Sequence, residues 1–499
     1  MKTAIDAAIR PAIPFDNSYV LLPPNFYARV EPTPVAAPHL VKLNHALCDE
    51  LGLDAAALEA TGAEIFSGNL IPDGADPVAM GYAGHQFGQF VPQLGDGRAI
   101  LLGEVIDRNG KRRDIQLKGA GQTPYSRRGD GRAALGPVLR EYIVSEAMNA
   151  LGLPTTRALA AVTTGQPVYR ETMLPGAVFT RVAASHVRVG TFQFLAARGD
   201  VAGLERLTDY VIDRHYPELA DTDNRPLALL EAVIGRQAFL IARWLHVGFI
   251  HGVMNTDNMT ISGETIDYGP CAFMDAYDPA TVYSFIDQGG RYAYANQPAI
   301  GQWNLTRLAE ALLPVIDPVE AKSIELAQAA LGAYAPAFQG HWMDGMRRKI
   351  GLSAPADGDL ELVQSLLGAM HKGAADYTLT FRRLADCVAG PENDETLFAL
   401  FNNSFAIGHW LVNWRKRLGR EERTPADVAT AMRAENPAFI PRNHRVEQAL
   451  AAATEDGDYS LFEALNDVLA RPYDDQPGFA AYMDPPKPGE EVKNTFCGT

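Results

Sequence analysis

The sequence predicts an α+β protein, with strands concentrated in the first half of the chain and helices in the second. Residues 86–118 combine strand-like apolar runs with glycine turns, and two more strand-like runs follow at residues 153–165 and 177–183. Beyond residue 300, apolar residues recur at helical spacing, for example in residues 305–316. This order predicts a sheet-containing part followed by a mostly helical part.

Local signals place the individual elements along the chain. Residues 39–54 form one clear helical run. The glycine turn, residues 95–98, is expected to join two strands, and a third strand ends at Lys118. A helix is predicted at residues 136–151, where a proline suits the first turn. A long apolar helix at residues 231–249 leads directly into a loop of unusual composition.

Composition limits the classes of function. The 499 residues, 47% of them apolar, can bury a large core and more than one domain. The formal charge of -16 argues against a general nucleic-acid or anionic-membrane binder. No run of 18 apolar residues suggests a membrane span, and the N-terminus lacks the apolar core of a signal peptide. We therefore expect a cytoplasmic protein.

The loop IHGVMNTDNMTI, residues 250–261, is similar to the catalytic loop of a protein kinase, in which His-Arg-Asp precedes Asn by a fixed spacing. His251, which we interpret as a packed structural residue, and Asn258 have that spacing, but Val253 occupies the slot of the aspartate. A positioned general base contributes roughly 10²–10⁴ in rate. Its loss need not abolish transfer, because positioning and charge stabilisation dominate phosphoryl chemistry. Asp257 can serve as a base, assist a metal, or cap a turn.

The order of the parts is that of a kinase fold, so we predict a kinase-like architecture of two lobes. The glycine turn Gly95-Asp96-Gly97-Arg98 can bring backbone N–H groups close to phosphates. Lys118 can neutralise phosphate charge, and a glutamate of the following helix can hold its ammonium group. Glu146 lies nearer the apolar stripe of that helix, and Glu141 is the alternative.

Two oxygen ligands and several arginines complete the predicted nucleotide site. Asn258 and Asp267, nine residues apart, suit a magnesium ion held mainly by phosphate and water. Arg98 lies in the glycine turn, and Arg181 and Arg188 follow in the sequence FTRVAASHVRVG. Each arginine taken singly can pair with an acid of this chain, but the set favours a deeply held triphosphate.

Five segments follow from these patterns. They are an N-terminal extension (1–80), a kinase-like N-lobe (81–185), a kinase-like C-lobe (186–300), a helical C-terminal region (301–485) and a flexible tail (486–499).

Long blocks of the sequence resemble the selenoprotein O family of protein adenylyltransferases, a group with a kinase fold. The blocks run nearly end to end: FDNSY, GYAGHQFGQFVPQLGDGRAILLGE, QLKGAGQTPYSRRGDGRAALGPVLREY, HGVMNTDNM and DYGPCAFMDAYDP. Cys497 takes the place that selenocysteine occupies in some members, as a cysteine does in most bacterial ones.

The resemblance implies transfer of AMP from a flipped ATP to Ser, Thr or Tyr hydroxyls of partner proteins, with magnesium or manganese and release of pyrophosphate. The kinase aspartate would then not be required. The resemblance implies Asp257 as proton acceptor and Glu141 as the partner of Lys118. The implied metal ligands are Asn258 and Asp267. The implied nucleotide contacts are Gly95, Gly97, Arg98, Lys118, Asp130, Gly131, Arg181, Arg188 and Asp267.

The cysteines lack the spacing of a zinc site or a disulfide framework, but two of them raise a hypothesis. Cys271 follows Asp267 by four residues, and Cys497 lies on a tail long enough to reach back. A disulfide between them would make activity depend on redox conditions. Alternatively they are unrelated thiols, and Cys271 is a small buried hydrophobe.

Other functions stay open at this point. Transfer of UMP from UTP is a variant of AMP transfer from ATP. Ordinary phosphotransfer is opposed by Val253, because enzymes of that kind keep the aspartate. A catalytically inactive nucleotide-binding scaffold is opposed by the intact Lys118, Asn258 and Asp267. Nothing in the sequence demands more than a monomer.

Overall fold

An antiparallel sheet of eight strands is the centre of the first half of the chain in the computed structural model, which describes residues 13–496. Its order is β1-β3-β6-β7-β10-β9-β2, with β8 paired to β10, and β4–β5 and β11–β12 form two small separate sheets. The strands are β1 Tyr27–Arg29, β2 His39–Leu43, β3 Val78–Met80, β4 Gly84–Gln86, β5 Gln89–Val91, β6 Ala99–Ile106, β7 Arg112–Lys118, β8 Ala133–Ala134, β9 Arg157–Tyr169, β10 Met173–Ala183, β11 Phe249–Ile250 and β12 Ala272–Phe273.

Helices cover the sheet and make up most of the second half, so the protein is α+β. They are α1 His45–Leu51, α2 Ala55–Ser67, α3 Leu135–Ala150, α4 Val189–Ala196, α5 Val201–His215, α6 Arg225–Val247, α7 Gln297–Ile316, α8 Glu320–Gly332, α9 Tyr334–Lys349, α10 Asp359–Gly373, α11 Tyr377–Leu384, α12 Glu395–Phe398, α13 Phe405–Leu418, α14 Pro425–Glu435, α15 Asn443–Ala451 and α16 Ser460–Leu469. The predicted helices at 136–151 and 231–249 are confirmed as α3 and α6. In the described part of the chain, no helix is long and apolar enough to cross a membrane.

The two faces of the sheet are buried by different helices. Alternate residues of β7, Ile115 and Leu117, join α1 and α2 in one apolar cluster. The opposite face packs against α3, which is itself covered by α15 and α16 of the C-terminal region. Tyr142 of α3 and Phe462 of α16 lie with ring centroids 5.6 Å apart in an edge-on contact. The C-terminal helices therefore fix the outer side of α3.

Arg140 ties α3 to two other parts of the molecule. Its guanidinium group donates to the carbonyl oxygens of Gly269 at 3.2 Å and Cys271 at 2.6 Å. The same group donates to Asn443 Oδ1 at 2.8 Å and Glu447 Oε1 at 2.9 Å on α15. This buried arginine thus connects the helix to the loop after β11 and to the C-terminal helices.

The prediction of one helix over residues 39–54 is wrong in its first half. His39–Leu43 forms β2, which pairs with β9. Asn44 then ends the strand and caps α1, because its side chain accepts a hydrogen bond from Leu47 N–H. The apolar spacing that indicated a helix also suits a strand packed on a neighbour, and the capping asparagine marks the change.

The glycine turn joins two strands, β5 and β6, as the sequence predicted, but these two strands do not pair with each other. The strand before it, β5, pairs with β4 in a small separate sheet. The strand after it, β6, pairs with β7 and β3. The turn therefore connects two sheets.

The end of the described chain lies against the loop that follows Asp267. Thr495 is buried, its hydroxyl donates to the carbonyl oxygen of Pro270 at 2.6 Å, and its N–H donates to that of Tyr283 at 2.7 Å. Cys497, predicted to pair with Cys271, lies outside the described residues.

Candidate functional site

A cavity of about 770 Å³ brings the predicted site residues together. Its walls come from β6, β7, β10, α3, the glycine turn and the loop between β11 and β12. Every residue proposed from the sequence as catalytic, nucleotide-binding or metal-binding lines it: Gly95, Gly97, Arg98, Lys118, Asp130, Gly131, Glu141, Arg181, Arg188, Asp257, Asn258 and Asp267.

Lys118, at the end of β7, lies between two carboxylates. Its Nζ donates to Glu141 Oε2 at 2.6 Å and to Asp267 Oδ1 at 2.8 Å. The other candidate on α3, Glu146, instead accepts hydrogen bonds from the Arg157 guanidinium group. The structure therefore brings Glu141, and not Glu146, to the lysine.

Two buried arginines also converge on Asp267. Arg181 Nη1 donates to Asp267 Oδ1 at 2.8 Å, and Arg188 Nη2 lies 3.8 Å from Asp267 Oδ2. Burial alone would raise the pKa of Asp267, but the charges of Lys118, Arg181 and Arg188 hold it well below its usual range. Asp267 is therefore ionised, and three cations surround one anionic group.

Asp267 occupies an uncommon backbone conformation. Its φ of 63° lies in the left-handed region, which residues other than glycine rarely adopt. Such conformations persist where surrounding contacts fix them, and they cluster at functional sites. Here the fixed contacts are the ion pairs of Asp267 with Lys118 and Arg181.

Asp257 lies in the short helical turn Thr256–Asn258 on the cavity wall. Its Oδ2 accepts a long hydrogen bond from Gln86 Nε2 at 3.4 Å, while its Oδ1 is buried and accepts none from the described residues. A Cβ at Gly84 would lie 2.6 Å from this Oδ1, so the glycine preserves the space around it. Burial raises the pKa of Asp257 to about 6. A carboxylate with these properties can accept a proton near neutral pH.

The other residues of the loop have distinct surroundings. His251 is buried and donates from Nε2 to the carbonyl oxygen of Ile266 at 2.9 Å, which agrees with its interpretation as a structural residue. Asn258 Nδ2 donates to the carbonyl oxygen of Val253 at 3.0 Å, which fixes the orientation of the amide group. Val253, in the slot of the kinase aspartate, is buried on the cavity wall.

Three of the four N–H groups of the glycine turn, those of Gly95, Asp96 and Gly97, are paired inside the protein. Gly95 N–H donates to the carbonyl oxygen of Tyr82 at 3.1 Å, Asp96 N–H to that of Met80 at 2.9 Å, and Gly97 N–H to that of Gly95 at 2.9 Å. These N–H groups are therefore already satisfied inside the protein. Gly95 is required for packing, because a Cβ there would lie 2.3 Å from the ring of Tyr125.

Asp130 and Gly131 belong to a loop on another wall of the cavity. Asp130 Oδ2 accepts a hydrogen bond from Arg170 Nη1 at 2.9 Å, and Asp130 Oδ1 accepts one from Arg132 N–H at 2.9 Å. Gly131 has a φ of 68°, and a Cβ there would lie 2.1 Å from the backbone of Gly121. The glycine thus permits the close approach of two loop segments.

A metal ion at this site would have few protein ligands. The described residues contain no cluster of three or more His, Cys, Asp or Glu side chains that could hold a metal. Asn258 and Asp267 are the hard oxygen donors of the predicted metal site, and both line the cavity together with Lys118 and the buried arginines. This donor set fits a magnesium-like cation that takes its other ligands from phosphates and water.

The sequence did not assign roles to Gln116 and Tyr82. Gln116 accepts a hydrogen bond from Arg181, and the ring of Tyr82 lies 4.4 Å below the guanidinium carbon of Arg188. A signal for Gln116 was available, because residues two apart in a strand face the same side and Lys118 follows it by two. No local pattern indicates the role of Tyr82.

Comparison with known proteins gives consistent results. The chain matches the family described as "Protein adenylyltransferase SelO" over residues 11–470. A relative from Rhizobium meliloti called "Protein nucleotidyltransferase YdiU" is 72% identical over 489 residues, covering 98% of this chain and 100% of the relative. A protein with the same description from Rhizobium rhizogenes is 69% identical and covers 98% of this chain and 97% of the relative. Another from Bradyrhizobium diazoefficiens is 64% identical and covers 97% of this chain and 99% of the relative.

Proposed function

The chain belongs to the SelO family of protein adenylyltransferases and is a nucleotidyltransferase, and on this premise we propose that it transfers AMP from ATP to Ser, Thr or Tyr hydroxyls of proteins. The observation that carries the proposal is the convergence of Lys118, Arg181 and Arg188 on Asp267 in the same cavity as Asp257. Buried cations surrounding one anionic group suit a polyphosphate.

The arrangement supports a kinase-like site with a flipped nucleotide. A strand lysine paired with a helix glutamate, followed along the chain by Asn258 and Asp267, is the order of a kinase. Because the arginines are the most deeply buried cations of the cavity wall, we assign the β- and γ-phosphates to them. The α-phosphate then lies beside Asp257 and Asn258, where the acceptor hydroxyl would enter.

The proposed reaction is a displacement at the α-phosphorus. The acceptor oxygen bonds to this phosphorus and gives its proton to Asp257, whose buried carboxylate has space beside Gly84. The bond from the α-phosphorus to the bridging oxygen breaks, and pyrophosphate leaves toward Lys118, Arg181 and Arg188. A magnesium or manganese ion held by Asn258 and Asp267 would neutralise charge on the phosphates.

We also propose that activity depends on redox conditions through Cys271 and Cys497. Thr495 binds the carbonyl oxygen of Pro270, so the described chain ends close to the residue that precedes Cys271. We expect a disulfide in oxidised protein and loss of transfer that a reductant restores. Peptide mapping without reductant is the measurement, and two alkylatable thiols in the oxidised protein would contradict this proposal.

Label transfer from two ATP samples, labelled at the α- or the γ-phosphate, tests the main proposal. Purified protein with magnesium or manganese and a generic protein acceptor should take label only from α-labelled ATP. Asp267→Ala should abolish it, whereas Asp221→Ala, at an exposed aspartate, should not. A parallel sample with α-labelled UTP distinguishes AMP from UMP transfer.

The other outcomes identify the alternatives. Label only from γ-labelled ATP would mean ordinary phosphotransfer without the kinase aspartate. Binding of ATP without label from either sample would mean an inactive scaffold.

A further inference from the structure

The two buried arginines of the cavity are connected through the side chains of Gln116 and Asp96. Gln116 Oε1 accepts a hydrogen bond from Arg181 Nε at 2.7 Å, and Gln116 Nε2 donates to Asp96 Oδ2 at 2.9 Å. Asp96 Oδ1 in turn accepts from Arg188 Nη1 at 3.4 Å. All four residues are at most 2% exposed. A continuous chain of buried hydrogen bonds thus runs from one guanidinium group to the other.

The sheet fixes this connection. Arg181 on β10 and Gln116 on β7 are direct partners in the antiparallel register. Asp96 is held independently, because its Oδ2 also accepts a hydrogen bond from Met80 N–H on β3 at 3.1 Å. The bridge is therefore anchored at three strands of one sheet, and each end can orient an arginine without a change of backbone.

The bridge leaves the outer atoms of both guanidinium groups directed at the site. Arg181 uses Nε on Gln116 and keeps Nη1 for Asp267. Arg188 uses Nη1 on Asp96 and rests on the ring of Tyr82, while its buried Nε donates to no described atom. A buried donor without an acceptor costs about 1–3 kcal/mol.

We propose that Gln116 and Asp96 are positioning residues that hold Arg181 and Arg188 as a preformed clamp for the β- and γ-phosphates. The clamp selects nucleoside triphosphates over monophosphates. This inference rests on the proposed function, because it places the polyphosphate at the arginines. Gln116 acts only through Arg181 and Asp96, and the carboxylate of Asp96 would repel a phosphate, so neither is itself a phosphate ligand.

A purely structural role predicts a different pattern. A polar network that only stabilises the sheet would lower the free energy of unfolding when cut, and would affect every ligand equally. A clamp predicts loss of affinity for ligands with a polyphosphate and none for AMP. The ratio of the two affinities therefore separates the two roles.

The test compares Gln116→Met with Gln476→Met in the full-length protein. Both glutamines are buried and make two side-chain hydrogen bonds, but Gln476 binds the carbonyl oxygens of Val468 and Arg471 in the C-terminal region. Titration calorimetry with magnesium would measure the binding of ATP, tripolyphosphate and AMP. Thermal unfolding would measure the stability of both variants.

For Gln116→Met, the affinities for ATP and tripolyphosphate should each fall about tenfold, as expected for a lost hydrogen bond to a charged group. AMP affinity should stay within about twofold, and Gln476→Met should change none of the three. In nucleotidyl transfer, KM for ATP should rise more than kcat falls.

Equal losses for ATP and AMP, or unchanged ATP affinity in folded Gln116→Met, would overturn the clamp. Asp96→Asn provides the same comparison if Gln116→Met does not fold, because it removes the charge opposite Arg188 with little change in shape. If the wild type transfers no nucleotidyl group but Gln116→Met selectively loses affinity for tripolyphosphate, the proposed function fails while the clamp is supported. If the wild type does not bind tripolyphosphate, the clamp fails.

Discussion

The glycine turn and the pair Arg181–Arg188 are two walls of one cavity that the sequence assigned to the same task, and they are built in opposite ways. In the turn, the N–H groups of Gly95, Asp96 and Gly97 donate to carbonyl oxygens of the protein. In the arginine pair, side-chain donors remain directed at a carboxylate that a phosphate resembles. Under the proposed function, recognition of phosphate rests on Arg181 of β10 and Arg188 at the start of α4, and the turn brings Asp96 beside Arg188.

The difference has an energetic reason. Backbone donors that are already paired gain little by exchanging a carbonyl for a phosphate. Buried cations instead form charge-assisted hydrogen bonds with an anion, which are roughly twice as strong as bonds between neutral groups. The four predictions that follow separate the contributions of the proton acceptor, the arginine pair and the glycine turn.

The largest effect is expected at Asp257, the proposed proton acceptor. Asp257→Asn should lower kcat for nucleotidyl transfer by roughly 10²–10⁴, because the proton acceptor is lost. ATP affinity should change little, since Asp257 makes no ion pair with a phosphate-binding residue. Single-turnover transfer of label from α-labelled ATP measures the rate, and ATP titration measures the affinity. An unchanged kcat would show that the acceptor hydroxyl needs no protein base.

Arg188→Met should weaken ATP binding by roughly 30-fold or more and lower the free energy of unfolding by about 3–5 kcal/mol. The substitution leaves Asp96 buried without its cation. Arg420→Met, at an exposed arginine, is the control and should leave both quantities unchanged. ATP titration and denaturant unfolding are the measurements. Full ATP affinity in folded Arg188→Met would remove the arginine pair from phosphate binding.

Gly95→Ala should lower the free energy of unfolding by about 1–3 kcal/mol through overpacking against Tyr125. Gly110→Ala is a matched control, because Gly110 has a φ of 74° and nothing lies within 4 Å of an added Cβ. The difference between the variants isolates the steric term from the backbone strain. The rate of transfer per folded molecule should stay close to that of the wild type. A selective loss of ATP affinity would show that the turn contacts the nucleotide directly.

The smallest effect is expected for Ser126→Ala. The Ser126 hydroxyl donates to the carbonyl oxygen of Gly97 and accepts from Thr123 N–H, so its removal should cost about 1 kcal/mol of stability. ATP affinity should remain within about twofold, as measured by titration. A tenfold loss would mean that the conformation of the turn controls phosphate binding after all.

Local signals in the sequence predicted some elements well. The ends of α3 lie within one residue of the prediction, because Pro137 and the apolar pattern act within the helix itself. At β2 the same kind of pattern was misleading, since a strand at the sheet edge and a helix both need buried apolar residues. Asn44, read as a cap, would have divided the segment correctly.

Distant contacts were beyond local patterns. Helical periodicity favoured Glu146 as the partner of Lys118, and only the family resemblance pointed to Glu141. The reason appears in three dimensions: Glu146 is occupied by Arg157, and Glu141 faces the end of β7. The pairing of β6 with β3 and the bridge through Gln116 likewise depend on residues far apart in the sequence.

The four-way bonding of Arg140 has a consequence for motion. Its guanidinium group holds α3, the carbonyls of Gly269 and Cys271, and α15 at once. A hinge rotation of the sheet relative to the loop after β11 would break these bonds in one step, at a cost that adds over all of them. Under the proposed function, we therefore expect nucleotide and product to exchange through local movement of the loops around the cavity mouth.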